Sequence, residues 1–168
     1  LFFTYKKNTF KIISDSGFSA LIGGFFLSLS FVAYTFAILS TTVANVVFII
    51  STQTIFLAIF GYFFLKEKIS LIGFISIALA MGGISIMVGD SLATGNLFGN
   101  LIALAIPINF SILVMIIRKN PKLDMVPAIF YSGILAVIYG LIFSKTLTFT
   151  FHDVKLGFLL GVPQLAFG

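Results

Sequence analysis

The chain has 168 residues, of which 60% are hydrophobic and 9% are charged, whereas soluble domains average about 45–50% and about 25%. This composition excludes an ordinary soluble domain. The net charge of +5 does not indicate a nucleic-acid partner, because the cations lie in short segments between apolar runs. The absence of Cys excludes a disulfide framework and thiol chemistry. We predict no cofactor, no metal site and no catalytic residues.

Five apolar runs of membrane-spanning length follow one another along the chain, and a sixth begins near its end. They occupy residues 18–38, 42–65, 70–89, 97–117 and 125–143, and the sixth runs from residue 154 to residue 168. The five complete runs contain no Asp, Glu, Lys, Arg or His, and each is close to the roughly 20 helical residues that cross a bilayer core about 30 Å thick. Since lipid cannot satisfy a sheet edge, the predicted fold class is all-α. It is a polytopic membrane helix bundle with five complete transmembrane helices and a partial sixth, and residues 1–3 are interpreted as the tail of an earlier span.

The positive charges alternate between the two ends of successive runs. Eight of the ten cations fall on one side of the predicted bundle: Lys6, Lys7, Lys11, Lys66, Lys68, Arg118, Lys119 and Lys122. The positive-inside rule assigns that side to the cytoplasm. We therefore expect a multi-pass protein of the cell membrane, which in a bacterium is the inner membrane. We also expect the N-terminal end of this chain to lie in the cytoplasm.

The second complete run carries the most polar residues. Thr41, Asn45 and Thr52 lie within about 40° of one another around a helix that turns by about 100° per residue, and Gln53 lies beside them. A buried amide in lipid is costly unless it has a partner. These residues therefore either bond to neighbouring helices or line a hydrated cavity, and the pattern alone leaves both interpretations open.

Two further amides follow prolines in later runs. Asn109 comes two residues after Pro107, which frees the carbonyl of Ala103 from helical bonding, and Gln164 directly follows Pro163. Asn109 either repairs that local backbone bonding or, together with Gln164, reaches a cavity from the second half of the chain.

The segment from residue 51 to residue 70 carries the most specific motif. A polar stretch, STQ, is followed by an apolar helix and by the exit FLKEKIS. This segment resembles a signature of EamA-type transporters in the drug/metabolite transporter superfamily, whose exit has the form FL-x-E-[RK]-[IL]-S. Thr54 stands where the signature usually has Pro. Residues 71–89 resemble the fifth helix of that family, and residues 95–119 resemble the start of its second repeat.

This resemblance implies ten helices in two inverted five-helix repeats with a substrate cavity between them. On that frame residues 1–96 carry the tail of helix 2 and helices 3–5, and residues 97–168 carry helices 6 and 7 and part of helix 8. The implied function is a non-enzymatic permease that moves a small metabolite across the cell membrane by alternating access. Its partners are a small-molecule substrate and the lipid bilayer, and a homodimer is compatible with this frame.

Two other functions stay open at this point. An intramembrane enzyme or assembly factor could be built from similar helices, although enzymatic chemistry would need an ionisable or nucleophilic cluster within the spans. A channel would favour rings of charge or carbonyl groups along a pore, which the sequence does not display.

The resemblance also favours the cavity interpretation of the polar residues. We therefore predict that the substrate-binding residues are Asn45, Thr52, Gln53, Asn109 and Gln164. Glu67, which lies between Lys66 and Lys68, is on its own chemistry a solvated turn charge. The matching motif adds a gating or helix-anchoring role for Glu67.

Overall fold

The computed structural model describes residues 9–94 and 97–143, and beyond them 150–152, 154, 155, 158 and 159. The regular structure of these described residues is α-helical, as predicted. The helices are α1 (Thr9–Ser40), α2 (Val43–Ser51), α3 (Gln53–Leu65), α4 (Leu71–Thr94), α5 (Leu97–Lys119) and α6 (Val126–Phe143).

Among the residues that the structure describes, four stretches are long and apolar enough to cross a membrane. They are Ser16–Ser40, Val43–Leu65, Leu97–Lys119 and Val126–Phe143. Each begins and ends within two residues of a predicted run, because the run of apolar side chains that fits the bilayer is also the stretch that must close its backbone bonds within a helix. In α4 the apolar part of the described residues, Leu71–Ile86, is shorter. The predicted sixth span and the predicted tail of an earlier one lie almost wholly outside the described residues.

A glycine breaks α1 at the start of its membrane-spanning part. Gly17 has φ 52° and ψ −146°, a conformation that residues with a Cβ rarely adopt. The chain ahead of it carries Lys11 and Asp15, and the chain after it is apolar. The break therefore lies between a polar leading turn and the apolar residues that make up nearly all of the span.

The second span is divided between α2 and α3 at Thr52. Thr52 has φ −76° and ψ 0°, and its hydroxyl donates a hydrogen bond of 2.6 Å to the carbonyl of Ile49. The side chain thus satisfies a backbone group near the interruption. A break occurs here although Thr54, and not Pro, occupies the position that the transporter signature gives to proline.

Helix α5 is the centre of the bundle, where it packs against α1, α2, α3 and α4. Its small or compact residues at a spacing of four are all buried: Gly99, Ala103, Pro107 and Ser111. The core joins them to α1 and α2 through Ala33, Ala37, Val46, Ile49, Ala103 and Ile106. Small residues allow helices to approach closely in lipid, where apolar burial gives little drive for association.

The outer surface is apolar, as a lipid-facing surface must be. On α4 the side chains of Leu71, Ile72, Leu79 and Ile86 are each more than 70% exposed. Soluble monomeric proteins rarely expose so large an apolar surface to water. The exposed residues of α4 therefore face lipid or another transmembrane helix.

The chain divides into two compact units, Leu1–Val137 and Ile138–Gly168. The helices α1 to α5 and most of α6 belong to the first unit. In the second unit the structure describes the end of α6 and short helical pieces among residues 151–159. The predicted repeat boundary between residues 96 and 97 concerns internal symmetry, and it stays a prediction.

Candidate functional site

Three neutral polar side chains meet where α1, α2 and α5 come together. The hydroxyl of Thr41 donates to Oδ1 of Asn100 at 2.7 Å. Nδ2 of Asn45 donates to Oγ1 of Thr41 at 3.2 Å and lies 3.3 Å from Oδ1 of Asn100. We call these three residues the amide cluster, and it joins the start of the second span to the start of α5.

A close backbone approach holds the amide cluster together. A Cβ added to Gly99 would overlap the carbonyl of Ser40 and would lie 2.7 Å from Cβ of Thr41. Gly99 therefore allows α5 to touch the end of α1 directly. The neighbouring Asn100 is fully buried, which is why its amide must be hydrogen-bonded within the protein.

Asn100 is the functional candidate that the sequence interpretation missed. It lies in the first turn of α5, in an apolar run that also contains Asn109. The sequence predicts Asn109 as a binding residue because a proline precedes it, and Asn100 has no such marker. The signal that could have identified Asn100 is its position beside a glycine at the start of a span, where a second helix can approach closely.

Thr52 and Gln53 lie at the break between α2 and α3, but they differ in how they are bonded. Thr52 is buried and its hydroxyl is committed to Ile49. Gln53 is half-buried, and its side-chain amide makes no hydrogen bond to a residue that the structure describes. Of the predicted residues in this span, Gln53 is the one whose donor and acceptor are both free of described partners.

Asn109 also has an uncommitted amide. It is half-buried in the middle of α5, and within the described part of the chain its side chain has no hydrogen-bond partner. The residue that bonds locally near Pro107 is instead Ser111, whose hydroxyl donates to the carbonyl of Pro107 at 2.6 Å. Asn109 therefore does not perform the backbone repair considered for it. Gln164 lies outside the described residues.

Several grooves on the first unit are apolar. They measure between about 150 and about 640 Å³ and are lined mainly by Phe, Leu, Ile and Tyr side chains. None of these grooves is lined by Asn45, Gln53 or Asn109. The structure thus brings Asn45 together with Thr41 and Asn100, and it leaves the assignment of all five predicted binding residues as a prediction.

A charged contact lies at the other end of the second span. Nη1 of Arg118 donates to both carboxylate oxygens of Glu67, at 3.0 and 3.1 Å. The two side chains are 44% and 50% exposed. We call this contact the ion pair. The sequence singled out Glu67 but did not identify its partner, which is 51 residues away along the chain.

The turn that follows α3 places the carboxylate of Glu67 beside Arg118. Lys66 adopts a left-handed conformation with φ 55°, and the amide of Glu67 donates to the carbonyl of Gly61 at 3.2 Å. A Cβ on Gly61 would lie 2.5 Å from Oε2 of Glu67, so glycine makes room for the carboxylate. Beside the ion pair, Nζ of Lys119 lies 5.4 Å from the ring centroid of Phe64. Both contacts connect the end of α3 to the end of α5.

Among the residues that the structure describes, no group of three His, Cys, Asp or Glu side chains could hold a metal ion. The polar side chains described above donate and accept hydrogen bonds, and Glu67 and Arg118 form an ion pair.

Comparison with known proteins gives one match. A family model described as the EamA-like transporter family matches residues 1–89, which is more than half of the chain, and confirms the resemblance carried by the FLKEKIS motif. No curated protein and no solved structure matches the chain.

Proposed function

We propose that this chain, which belongs to the EamA-like transporter family and so to the drug/metabolite transporter superfamily, is part of a carrier that moves a small metabolite by alternating access. The family match carries the proposal, and the membrane-spanning helices agree with it. If the second repeat begins at residue 97, the contacts of α5 with α1, α2 and α3 are contacts between two repeats. Inverted-repeat transporters bind substrate between their repeats near the middle of the membrane.

We propose that the substrate contacts are made by Asn45, Thr52, Gln53, Asn109 and Gln164. Gln53 and Asn109 support this best, because each is half-buried and has an amide without a described partner. Asn45 keeps its Oδ1 as an acceptor, since its described hydrogen bonds are made through Nδ2. Neutral donors and acceptors suit a neutral or zwitterionic solute.

The ion pair is proposed as a gate on one side of the carrier. Exposed ion pairs contribute about 0.2–1 kcal/mol, so Glu67 and Arg118 can separate in each cycle at little cost. By the positive-inside rule this gate lies on the cytoplasmic side of the cell membrane.

The binding proposal is tested by transport into liposomes that contain the full-length protein. Gln53→Leu and Asn109→Leu should each raise the solute concentration needed for half-maximal transport, while the unfolding temperature stays near that of the wild type. Thr35→Val is the control, because its hydroxyl bonds only to a carbonyl of its own helix. A loss of stability with unchanged solute dependence would remove these residues from the site.

The orientation is tested by thiol labelling, for which the chain offers a background without cysteine. Thr94→Cys should react with a membrane-impermeant reagent applied from outside the cell. Asn120→Cys should react only after permeabilisation, because it follows the cationic end of α5. The opposite labelling pattern would reverse the proposed topology.

A further inference from the structure

An apolar groove runs between α3 and α4 below the turn that connects them. Its volume is about 640 Å³. Its walls include Ile59, Tyr62 and Phe63 on one side and Leu71, Phe74 and Ile77 on the other. Since Ile77 lies six residues beyond Leu71, the groove extends about 9 Å along α4 at 1.5 Å per residue.

The turn at the mouth of this groove carries two uncompensated positive charges. Lys66 and Lys68 are exposed, and neither forms an ion pair with a described residue. Glu67, the acid between them, forms its ion pair with Arg118 instead. Ser70 ends the turn and lines the groove. Its hydroxyl accepts a hydrogen bond from the amide of Gly73.

We propose that this groove binds one anionic phospholipid, with an acyl chain against α3 and α4 and the phosphate beside Lys66 and Lys68. The turn joins two apolar helices, so it lies at the boundary where lipid headgroups are found. Anionic headgroups are attracted to clustered lysines at that boundary. A protein helix in the same groove would have to bring an acid to the two lysines, whereas an anionic lipid carries its charge at the required end.

This site is distinct from the proposed transport site, because its lining includes none of the proposed substrate contacts and neither Glu67 nor Arg118. The groove is formed by α3 and α4, and the ion pair takes Glu67 toward α5.

The test uses the full-length protein in detergent supplied with phosphatidylglycerol or phosphatidylcholine of identical acyl chains, with bound lipid counted by native mass spectrometry. The wild type should retain more phosphatidylglycerol than phosphatidylcholine. The double variant Lys66→Gln/Lys68→Gln should lower its retention by roughly tenfold or more, since each cation near an anionic surface changes binding about fivefold. Lys122→Gln removes the same charge from another loop and should have no effect.

Two further arms separate the acyl chain from the phosphate. Leu71→Trp and Ile77→Trp fill the groove, and either should reduce retention of both lipids in protein that still elutes and unfolds like the wild type. Glycerol phosphate, which has the charge without the chains, should not displace the lipid. Equal retention of the two lipids by the wild type, or unchanged retention in the double lysine variant, would overturn the proposal. Displacement by glycerol phosphate would show an anion site without a lipid chain and would overturn it as well.

Discussion

The two ends of α5 are joined to the two ends of the second span by contacts of opposite character. Near its start the amide cluster of Thr41, Asn45 and Asn100 is neutral, and Asn100 is fully buried. Near its end Glu67 and Arg118 are charged and about half exposed. A charge that protein buries is costly unless it is paired, and the charged pairing described here is found at the end of α5 where the side chains are exposed.

This difference indicates which end can open. Separating the amide cluster would leave a buried donor and acceptor without partners, which typically costs about 1–3 kcal/mol. Separating the exposed ion pair exchanges one charged contact for water and costs at most about 1 kcal/mol. We therefore expect the amide cluster to be the lasting contact between α5 and the second span, and the ion pair to be the contact that breaks and re-forms.

Gly99→Ala should produce the largest effect on stability. The added methyl group would overlap the backbone of Ser40, and backbone cannot move aside as a flexible side chain can. Overpacking typically costs about 1–3 kcal/mol, which lowers the unfolding temperature by roughly 2–12 °C in a chain of this size. Gly82→Ala is the control, because nothing lies within 4 Å of its Cβ position. An equal unfolding temperature for both variants in detergent would contradict close packing at Gly99.

Asn100→Leu should have the next largest effect. It removes the acceptor shared by Thr41 and Asn45, and hydrogen bonds between helices in membranes contribute about 0.6 kcal/mol on average and up to about 1.7 kcal/mol. We expect a loss of about 1–2 kcal/mol in the free energy of unfolding. In a double-mutant cycle Asn45→Leu should cost less in the Asn100→Leu background than alone, because the two amides share one contact. Fully additive losses would show that the amide cluster is not a unit.

Glu67→Gln should have the smallest effect on stability and a clear effect on transport. The free energy of unfolding should change by no more than about 1 kcal/mol, while liposome uptake by the full-length protein falls. The exchange Glu67→Arg/Arg118→Glu restores opposite charges and should recover part of the transport. Lys122→Gln, a charge removal outside the pair, should leave uptake unchanged. Uptake that is normal in Glu67→Gln would return Glu67 to the solvated-turn interpretation.

The helices could be predicted from the sequence because membrane insertion depends on the local run of apolar residues. Residues 42–65 gave the span Val43–Leu65 to within one residue. The break at Thr52 was harder to predict from the sequence, because a threonine side chain can stabilise such a break without the proline that usually marks it.

The contacts between spans could be predicted only in part. Thr41 and Asn45 were recognised as polar neighbours on one helical face, and the structure places them in one cluster. Their partner Asn100 and the partner Arg118 of Glu67 depend on how distant helices dock, which no local spacing encodes. The roles of Gln53, Asn109 and Gln164 depend on the substrate path, and they stay predictions.

The central position of α5 has a consequence for how the protein is made. Asn100 follows Asn45 by 55 residues, and ribosomes add about 5–20 residues per second. Roughly 3–11 s therefore pass between the synthesis of Asn45 and that of its partner. During this interval α1 and α2 must stay in the membrane while Thr41 and Asn45 lack their shared acceptor on Asn100. The arrival of α5 ends that vulnerable period, so slowed translation between the two asparagines would lengthen the time in which the nascent chain is open to degradation.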